Sequence, residues 1–264
     1  MDVSDVHQHG RVEEQRPCPG LVRVLETPHE LCSENTHEVV ESVRSALEAR
    51  PEKIVLDLRD VRLVDSSGVR SLLQSQRLCA KAGTAFELGG VSECADRIIR
   101  MAGFERVLGL DSRDVLVRSA EPVERGEPLA QRVIEHVVVS DPSMLHVLRH
   151  KVTEAAEEAG ATGEELCDIR IAVGEALTNA YKHGSPNKGV DKIALRCVIC
   201  QNALAVEVQD EGQPFDPDGV SEPEPNQMRE SGMGIHLMRL AMDVVEFTFN
   251  CPGNRVRMIK WLGN

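Results

Sequence analysis

Short apolar runs alternate with segments of helical periodicity in the first half of the chain. The runs GLVRVLE, KIVLDL and TAFELGG have the length and branched side chains of buried strands. The segment from Asn35 to Arg50 is predicted to be a helix, and so are SECADRIIRMAG and the stretch after Asp65-Ser66-Ser67-Gly68. Inward positions are Val39, Val43 and Leu47 in the first of these helices, and Val69, Leu72, Leu73 and Cys79 in the one after Gly68. This alternation predicts a compact α/β domain over about residues 19–118.

The second half has a different order of elements. A strand over 131–139 leads to a helix near Asp141-Pro142-Ser143, where proline suits the first turn. A longer helix follows over 164–183, and then the strands IALRCVIC and ALAVEVQD. A loop rich in proline and acidic residues, a helix over 234–242 and a closing hairpin complete residues 131–264. This order predicts an α+β sandwich.

Two polar segments frame the first domain. Residues 1–18 are predicted to form a disordered tail. Residues 119–130, SAEPVERGEPLA, are predicted to form a linker because Pro, Glu and Gly interrupt the pattern. A length of 264 residues also favours two domains, and no internal repeat relates them.

Composition narrows the classes of partner. The chain is 41% hydrophobic and 28% charged, as in a globular protein, and its net charge of −13 argues against direct binding of nucleic acid or of an anionic membrane. No run of about 18 apolar residues predicts a membrane span, and the start MDVSDVHQHGRVEEQ lacks the apolar core of a signal peptide. We therefore expect a cytoplasmic protein. Of the eight cysteines only Cys197 and Cys200 lie close together, on opposite faces of a predicted strand, so we expect buried small side chains and no metal site.

One helix carries the most informative polar pattern. In DIRIAVGEALTNAYKH the apolar positions form one stripe, and Glu175, Thr178, Asn179 and Lys182 recur three and four residues apart on the other side. An amide oxygen such as that of Asn179 can hold Mg²⁺, and a carboxylate one turn earlier can orient or deprotonate a hydroxyl. The alternative is an ordinary solvated polar face.

Two later segments add to this pattern. Asp210-Glu211-Gly212 ends a strand, where a carboxylate can accept a hydrogen bond from an adenine amino group and glycine allows close approach. Ser231-Gly232-Met233-Gly234 begins a helix, whose free N–H groups favour phosphate. Asp-x-Gly alone is more typical of an ordinary turn, and a lone Gly-x-Gly is a weak signal.

Taken in order, these three segments resemble the Bergerat-type ATP site of the GHKL superfamily, and within it the sporulation and stress-response anti-sigma factor serine kinases. The resemblance covers residues 131–264. It implies ATP and Mg²⁺ as cofactors, Asn179 as the metal ligand and Glu175 as the catalytic base. It further implies that Asp210 and Gly212 hold adenine, that 213–230 is the ATP lid, and that the phosphates meet Gly232, Met233 and Gly234.

The first domain carries a second resemblance. VLDLRDVRLVDSSGVRSLL, with its flanking elements, resembles the STAS fold of anti-sigma factor antagonists. The resemblance implies that Ser66 is the phosphoacceptor, with Ser67 as the alternative. Antagonists commonly carry Glu-Leu-Asp after the first strands, whereas this chain has Glu30-Leu31-Cys32, and the missing acid predicts a less efficient acceptor. An ordinary serine helix cap is the structural alternative.

These observations predict a protein serine kinase and anti-sigma factor-type regulator whose partners are a sigma factor, a STAS-domain antagonist or both. Arg149, on the first helix of the second domain, is a candidate partner contact. An ATP-binding scaffold without useful turnover is the main alternative. A sensor histidine kinase fits poorly, because no helix with a phosphoacceptor histidine precedes the ATP domain. A homodimer through the kinase domain, and domain contact within or between chains, stay open.

Overall fold

We describe a computed structural model of the chain over residues 17–110, 128–214, 232–249 and 253–263. Most of the predicted tail and linker, and the predicted lid from residue 215 onward, lie outside these ranges. The fold consists of an α/β STAS-type domain followed by an α+β sandwich, as the sequence predicts. None of the helices in the described ranges has the length and apolar run that a membrane crossing needs.

The first domain is built on a parallel sheet. Its elements are β1 (Cys18–Glu26), β2 (Glu30–Leu31), α1 (Thr36–Glu48), β3 (Pro51–Asp57), β4 (Leu63–Val64), α2 (Ser66–Lys81), β5 (Ala85–Gly89) and α3 (Glu93–Met101). Strands β1, β3 and β5 pair in the order β1-β3-β5, and β2 pairs with β4. Strand β1 begins at Cys18, whose partner is Pro51, so the sheet includes a residue that the sequence assigned to the tail.

Apolar spacing explains why the helices of this domain lie where they do. Val39 and Val43 of α1 are buried, as predicted, and Leu47 is partly buried against the core. The four inward positions of α2 are all buried. This burial fixes α2 with its N-terminus at the edge of the domain, where β4 ends.

The second domain is a five-stranded antiparallel sheet with three helices. Its elements are β6 (Ala130–Val139), α4 (Pro142–Glu158), α5 (Gly163–Lys182), β7 (Lys192–Cys200), β8 (Ala203–Gln209), α6 (Met233–Ala241), β9 (Val244–Phe249) and β10 (Asn254–Trp261). The strand order is β6-β7-β8-β10-β9. Cys197 and Cys200 belong to separate apolar clusters, which confirms that they face opposite sides of the sheet.

The two domains contact each other along α5. Strand β4 and helix α3 of the first domain both lie against this helix, and Leu63 of β4 approaches Gly174. A Cβ at Gly174 would lie 3.7 Å from the Leu63 side chain, an ordinary van der Waals distance, so β4 packs closely beside this part of the helix. The contact brings the N-terminus of α2 to the polar side of α5.

Candidate functional site

Helix α5 carries Glu175 into the contact between the domains. Its apolar stripe packs on the sheet and includes Ile169, Ala172, Val173, Ala176, Leu177 and Ala180. On the opposite side Glu175 and Thr178 are 1% and 2% exposed, so this part is not the solvated face that the sequence left as an alternative, whereas Lys182 at the end of the helix is exposed. The first domain covers the side chains of Glu175 and Thr178.

Ser66 meets Glu175 directly. The Ser66 hydroxyl donates to Glu175 Oε2 at 2.9 Å, and the Ser66 backbone N–H donates to Glu175 Oε1. The two residues are 109 positions apart in the sequence and belong to different domains. The structure thus places the predicted phosphoacceptor on the predicted catalytic base.

Two neighbours of Ser66 complete this part of the interface. Asp65 caps α2 by accepting from the Gly68 N–H at 2.9 Å, and its other oxygen accepts from the Thr178 hydroxyl at 3.1 Å. Lys182 Nζ donates to the Ser67 hydroxyl at 2.8 Å. We call the set of Asp65–Ser67 with Glu175, Thr178 and Lys182 the serine contact.

Burial changes the acidity of Glu175. Desolvation is the largest effect and raises the pKa of Glu175 to about 8, and the nearby charge of Asp65 acts in the same direction. The hydrogen bonds from Ser66 and the charge of Lys182 act in the opposite direction. In this closed arrangement the Glu175 carboxyl therefore holds a proton at neutral pH.

A second cross-domain interaction surrounds Arg149 of α4. Its guanidinium is 3% exposed and lies 3.1 Å from a carboxylate oxygen of Glu34 and 3.6 Å from one of Glu30. Cys32 lies 3.7 Å from the guanidinium, and burial raises the pKa of its thiol to about 11, so the thiol stays neutral. We call Arg149 with Glu30 and Glu34 the arginine contact. It places the candidate partner residue Arg149 against this chain's own STAS domain.

A further charged cluster lies at the other end of α5. The Arg97 guanidinium of α3 donates to Asp168 at 2.9 Å, and Lys260 of β10 donates to the same carboxylate at 2.7 Å. Asp168 is buried, so two cations compensate its charge. This pairing between domains could not be read from the sequence, in which Asp168 is simply an early residue of the helix.

The predicted adenine residues form a tightly packed corner. Asp210 Oδ1 accepts from the Gly212 N–H at 2.9 Å and from the side chain of Asn254 at 2.9 Å. A Cβ at Gly184 would overlap the Asp210 carboxylate, and one at Gly253 would overlap the Asp210 backbone. The sequence reasoning missed Asn254, and the Gly253-Asn254 step at the start of β10 was the available signal. These contacts fix the Asp210 carboxylate and engage one of its oxygens.

The predicted phosphate residues lie next to Glu175. Gly232 has a φ of 98°, which favours glycine, and it precedes the first turn of α6. A Cβ at Gly234 would overlap the Glu175 carboxylate and lie 3.5 Å from the amide nitrogen of Asn179. Glycine at this position therefore allows α6 to begin beside Glu175 and Asn179. Ser231 and most of the predicted lid lie outside the described residues.

These residues fit a nucleotide with a metal ion held mainly by phosphate oxygens. Within the described ranges, no three His, Cys, Asp or Glu side chains form a metal-binding group. The first-turn N–H groups of α6 have no partners within the helix, and such groups suit phosphate. Asn179 alone would then contribute a protein oxygen to Mg²⁺, which usually keeps several other ligands.

Comparison with known proteins identifies the families of the two domains. The family model of the histidine kinase-like ATPase domain matches residues 138–260, and that of the STAS domain matches residues 12–115. Serine-protein kinase RsbW of Bacillus subtilis (strain 168) is 34% identical over 137 residues, which are 49% of this chain and 85% of that protein. The chain belongs to the RsbW family of serine-protein kinases.

A second relative agrees with this assignment to the RsbW family. RsbW of Staphylococcus aureus is 30% identical over 138 residues, covering 49% of this chain and 86% of that protein. The crystal structure of the RsbU and RsbW domains of Rv1364c from Mycobacterium tuberculosis covers 50% of this chain and 33% of that one. It has 16% identity and a TM-score of 0.39, too distant to add to the assignment. Our chain thus fuses an RsbW-type ATPase domain to a STAS domain, whereas the domain boundaries and the roles of the site residues stay predictions.

Proposed function

We propose that this protein is an ATP-dependent serine kinase of a partner-switching system, and that Ser66 of its own STAS domain is an acceptor. The hydrogen bond of 2.9 Å between the Ser66 hydroxyl and Glu175 carries the proposal. A candidate base must lie within hydrogen-bond reach of the proton that it removes, and Glu175 meets this condition. Relatives named serine-protein kinases support the same class of reaction.

Glu175 and the N-terminus of α2 each have a part in this reaction. Glu175 holds both the backbone N–H and the hydroxyl of Ser66, so the nucleophile is fixed in position before reaction. In its ionised form Glu175 would accept the hydroxyl proton. The positive end of α2 would then stabilise the phosphoserine that forms at its first residue.

The nucleotide would be held by two segments that contain glycine, residues 210–212 and residues 232–234. Asp210 and Gly212 would contact adenine, the N-terminus of α6 with Gly232, Met233 and Gly234 would contact the phosphates, and Asn179 would hold Mg²⁺. ATP, when bound, supplies the phosphoryl group that the Ser66 hydroxyl would accept.

A regulatory role follows from the coverage of Glu175. A sigma factor or a separate STAS-domain antagonist that needs this face would have to displace the chain's own STAS domain. Attachment to the same chain gives that domain an effective concentration of order millimolar. We therefore expect deletion of residues 1–120 to raise the affinity of the kinase domain for such a partner.

One observation favours the alternative of an ATP-binding scaffold. A pKa of about 8 for Glu175 leaves the carboxyl mostly protonated at neutral pH, and a protonated carboxyl is a poor base. In this alternative the STAS domain docks and regulates access without appreciable phosphoryl transfer.

Labelled ATP and Mg²⁺ added to the full chain would separate the two functions. We expect label on Ser66, no label in Ser66→Ala, and a rate lower by about 10²–10⁴-fold in Glu175→Gln, the usual contribution of a general base. The fraction labelled per minute should not change on dilution, because donor and acceptor are in one chain.

Ser45→Ala is the matched control, since Ser45 is an exposed serine of α1. It should be labelled like the wild type. Binding of ATP without label on any serine would support the scaffold and contradict the kinase.

A further inference from the structure

Three side chains of α5 contact three consecutive residues of the STAS domain. Glu175, Thr178 and Lys182 are spaced three and four residues apart, so they line one side of the helix. Each contacts a different residue of the segment Asp65–Ser67, through the hydrogen bonds given above. The one-to-one pairing fixes the position of this segment along α5.

Ser66 and Ser67 are chemically equivalent acceptors but not equivalent in position. Both lie in the first turn of α2, where successive residues point about 100° apart around the axis. Only one of the two hydroxyls can therefore face Glu175 at a time. The other, on Ser67, is bound to Lys182 at 2.8 Å.

The lysine is not explained by stabilisation of the helix that it contacts. A cation near a helix N-terminus is unfavourable, because that end carries the positive partial charge of the helix dipole. Thr178 and Asp65 already anchor the same turn. The charge of Lys182 also acts on Glu175, whose pKa it lowers, but that effect does not require the hydrogen bond to Ser67.

We propose that Lys182 is a positioning residue that selects Ser66 over Ser67 as the phosphate acceptor. This inference rests on the proposed kinase function and adds the choice of acceptor to it. By holding the Ser67 hydroxyl on the far side of the contact, Lys182 keeps the first turn of α2 from shifting so that Ser67 would meet Glu175.

The test measures the ratio of phosphate on Ser67 to phosphate on Ser66 by peptide mass spectrometry of the full chain after incubation with ATP and Mg²⁺. Loss of this exposed hydrogen bond predicts that Lys182→Ala raises this ratio about two- to ten-fold. Lys182→Arg keeps a donor and should restore the wild-type ratio. Lys188→Ala, which removes a nearby lysine placed over the Tyr181 ring, is the control and should leave the ratio unchanged.

The same measurement in the Ser66→Ala variant tests the selection more directly. With Ser66→Ala, phosphate on Ser67 should be absent, and it should appear when Lys182→Ala is added. Phosphate that stays on Ser66 with an unchanged ratio in Lys182→Ala would overturn the selection by Lys182 while leaving the kinase function standing. A wild-type chain that gains no phosphate on either serine would overturn both.

Hydrogen exchange without nucleotide examines the same contact independently. Amides of residues 66–69 should exchange faster in Lys182→Ala than in the wild type, because α2 is then less firmly held. Exchange equal to that of the wild type would show that Lys182 does not fix this turn, and would also overturn the proposal.

Discussion

The serine contact and the arginine contact join the same two domains with opposite electrostatics. In the serine contact the two buried carboxyl groups of Glu175 and Asp65 lie close enough for the charge of Asp65 to raise the pKa of Glu175. In the arginine contact a buried cation has acidic partners in Glu30 and Glu34. The difference indicates two roles. The arginine contact holds the domains together, and the serine contact places the Ser66 hydroxyl against the buried Glu175 carboxyl, whose pKa is raised.

Removing the Arg149 guanidinium should have the largest effect on the contact between the domains. Arg149→Ala leaves the partly exposed Glu30 and Glu34 without their buried partner, and loss of such a charge-assisted contact typically costs about 1.5–3 kcal/mol. We expect the domains to separate, which is measured as faster hydrogen exchange at the amides of residues 66–69. Arg132→Ala removes an exposed ion pair with Glu158 and is the control, with an expected cost of about 0–1 kcal/mol. Equal effects of the two variants would contradict the division of roles.

The pH dependence of the free energy of unfolding should come from Glu175 in the serine contact. The pKa of Glu175 is raised in the folded chain to about 8, above its ordinary value of 4.5, so the folded form keeps a proton that the unfolded form loses. The contribution to stability is therefore fully present below the unfolded pKa and is lost as the pH rises through the folded value, by on the order of a few kcal/mol. Urea unfolding of the full chain from pH 5 to 9 would measure it.

Glu175→Gln, which cannot ionise, should flatten this dependence. In the wild type the rate of phosphoryl transfer to Ser66 should rise toward pH 8, while the stability falls, because the base acts only when ionised. A wild-type stability curve that matches that of Glu175→Gln would show that Glu175 does not titrate in the contact.

The smallest expected effect belongs to the neutral hydrogen bond within the serine contact. Thr178→Val keeps the shape of the side chain but removes the donor to Asp65, which should weaken the domain contact by about 1 kcal/mol. Thr153→Val is the matched control, since its hydroxyl donates to the Arg149 carbonyl and accepts from Arg170, both within the second domain. Hydrogen exchange at residues 66–69 should respond to the first variant and not to the second.

The fold and the separate halves of the candidate site could be read from local patterns. Apolar spacing gave the buried faces of α2 and α5, and the order of Glu175, Asp210 and Gly234 pointed to one ATP-type site. What the sequence could not supply was the pairing of Ser66 with Glu175, because two polar helix surfaces far apart in sequence carry no local signal of contact. Asn254 was missed although the Gly253-Asn254 step is a local signal, because its hydrogen bond to Asp210 joins two residues far apart in the sequence.

Ser66 covers Glu175 only while the two domains are in contact. The kinase face and the STAS face therefore both become accessible through the same equilibrium, between contacting and separated domains. A molecule that binds the uncovered kinase face and one that binds the uncovered STAS face would each favour the separated form. By thermodynamic reciprocity, each would raise the affinity of the chain for the other by the same factor, although the two never touch. Positive cooperativity between two ligands thus follows from one intramolecular contact, without any rearrangement inside either domain.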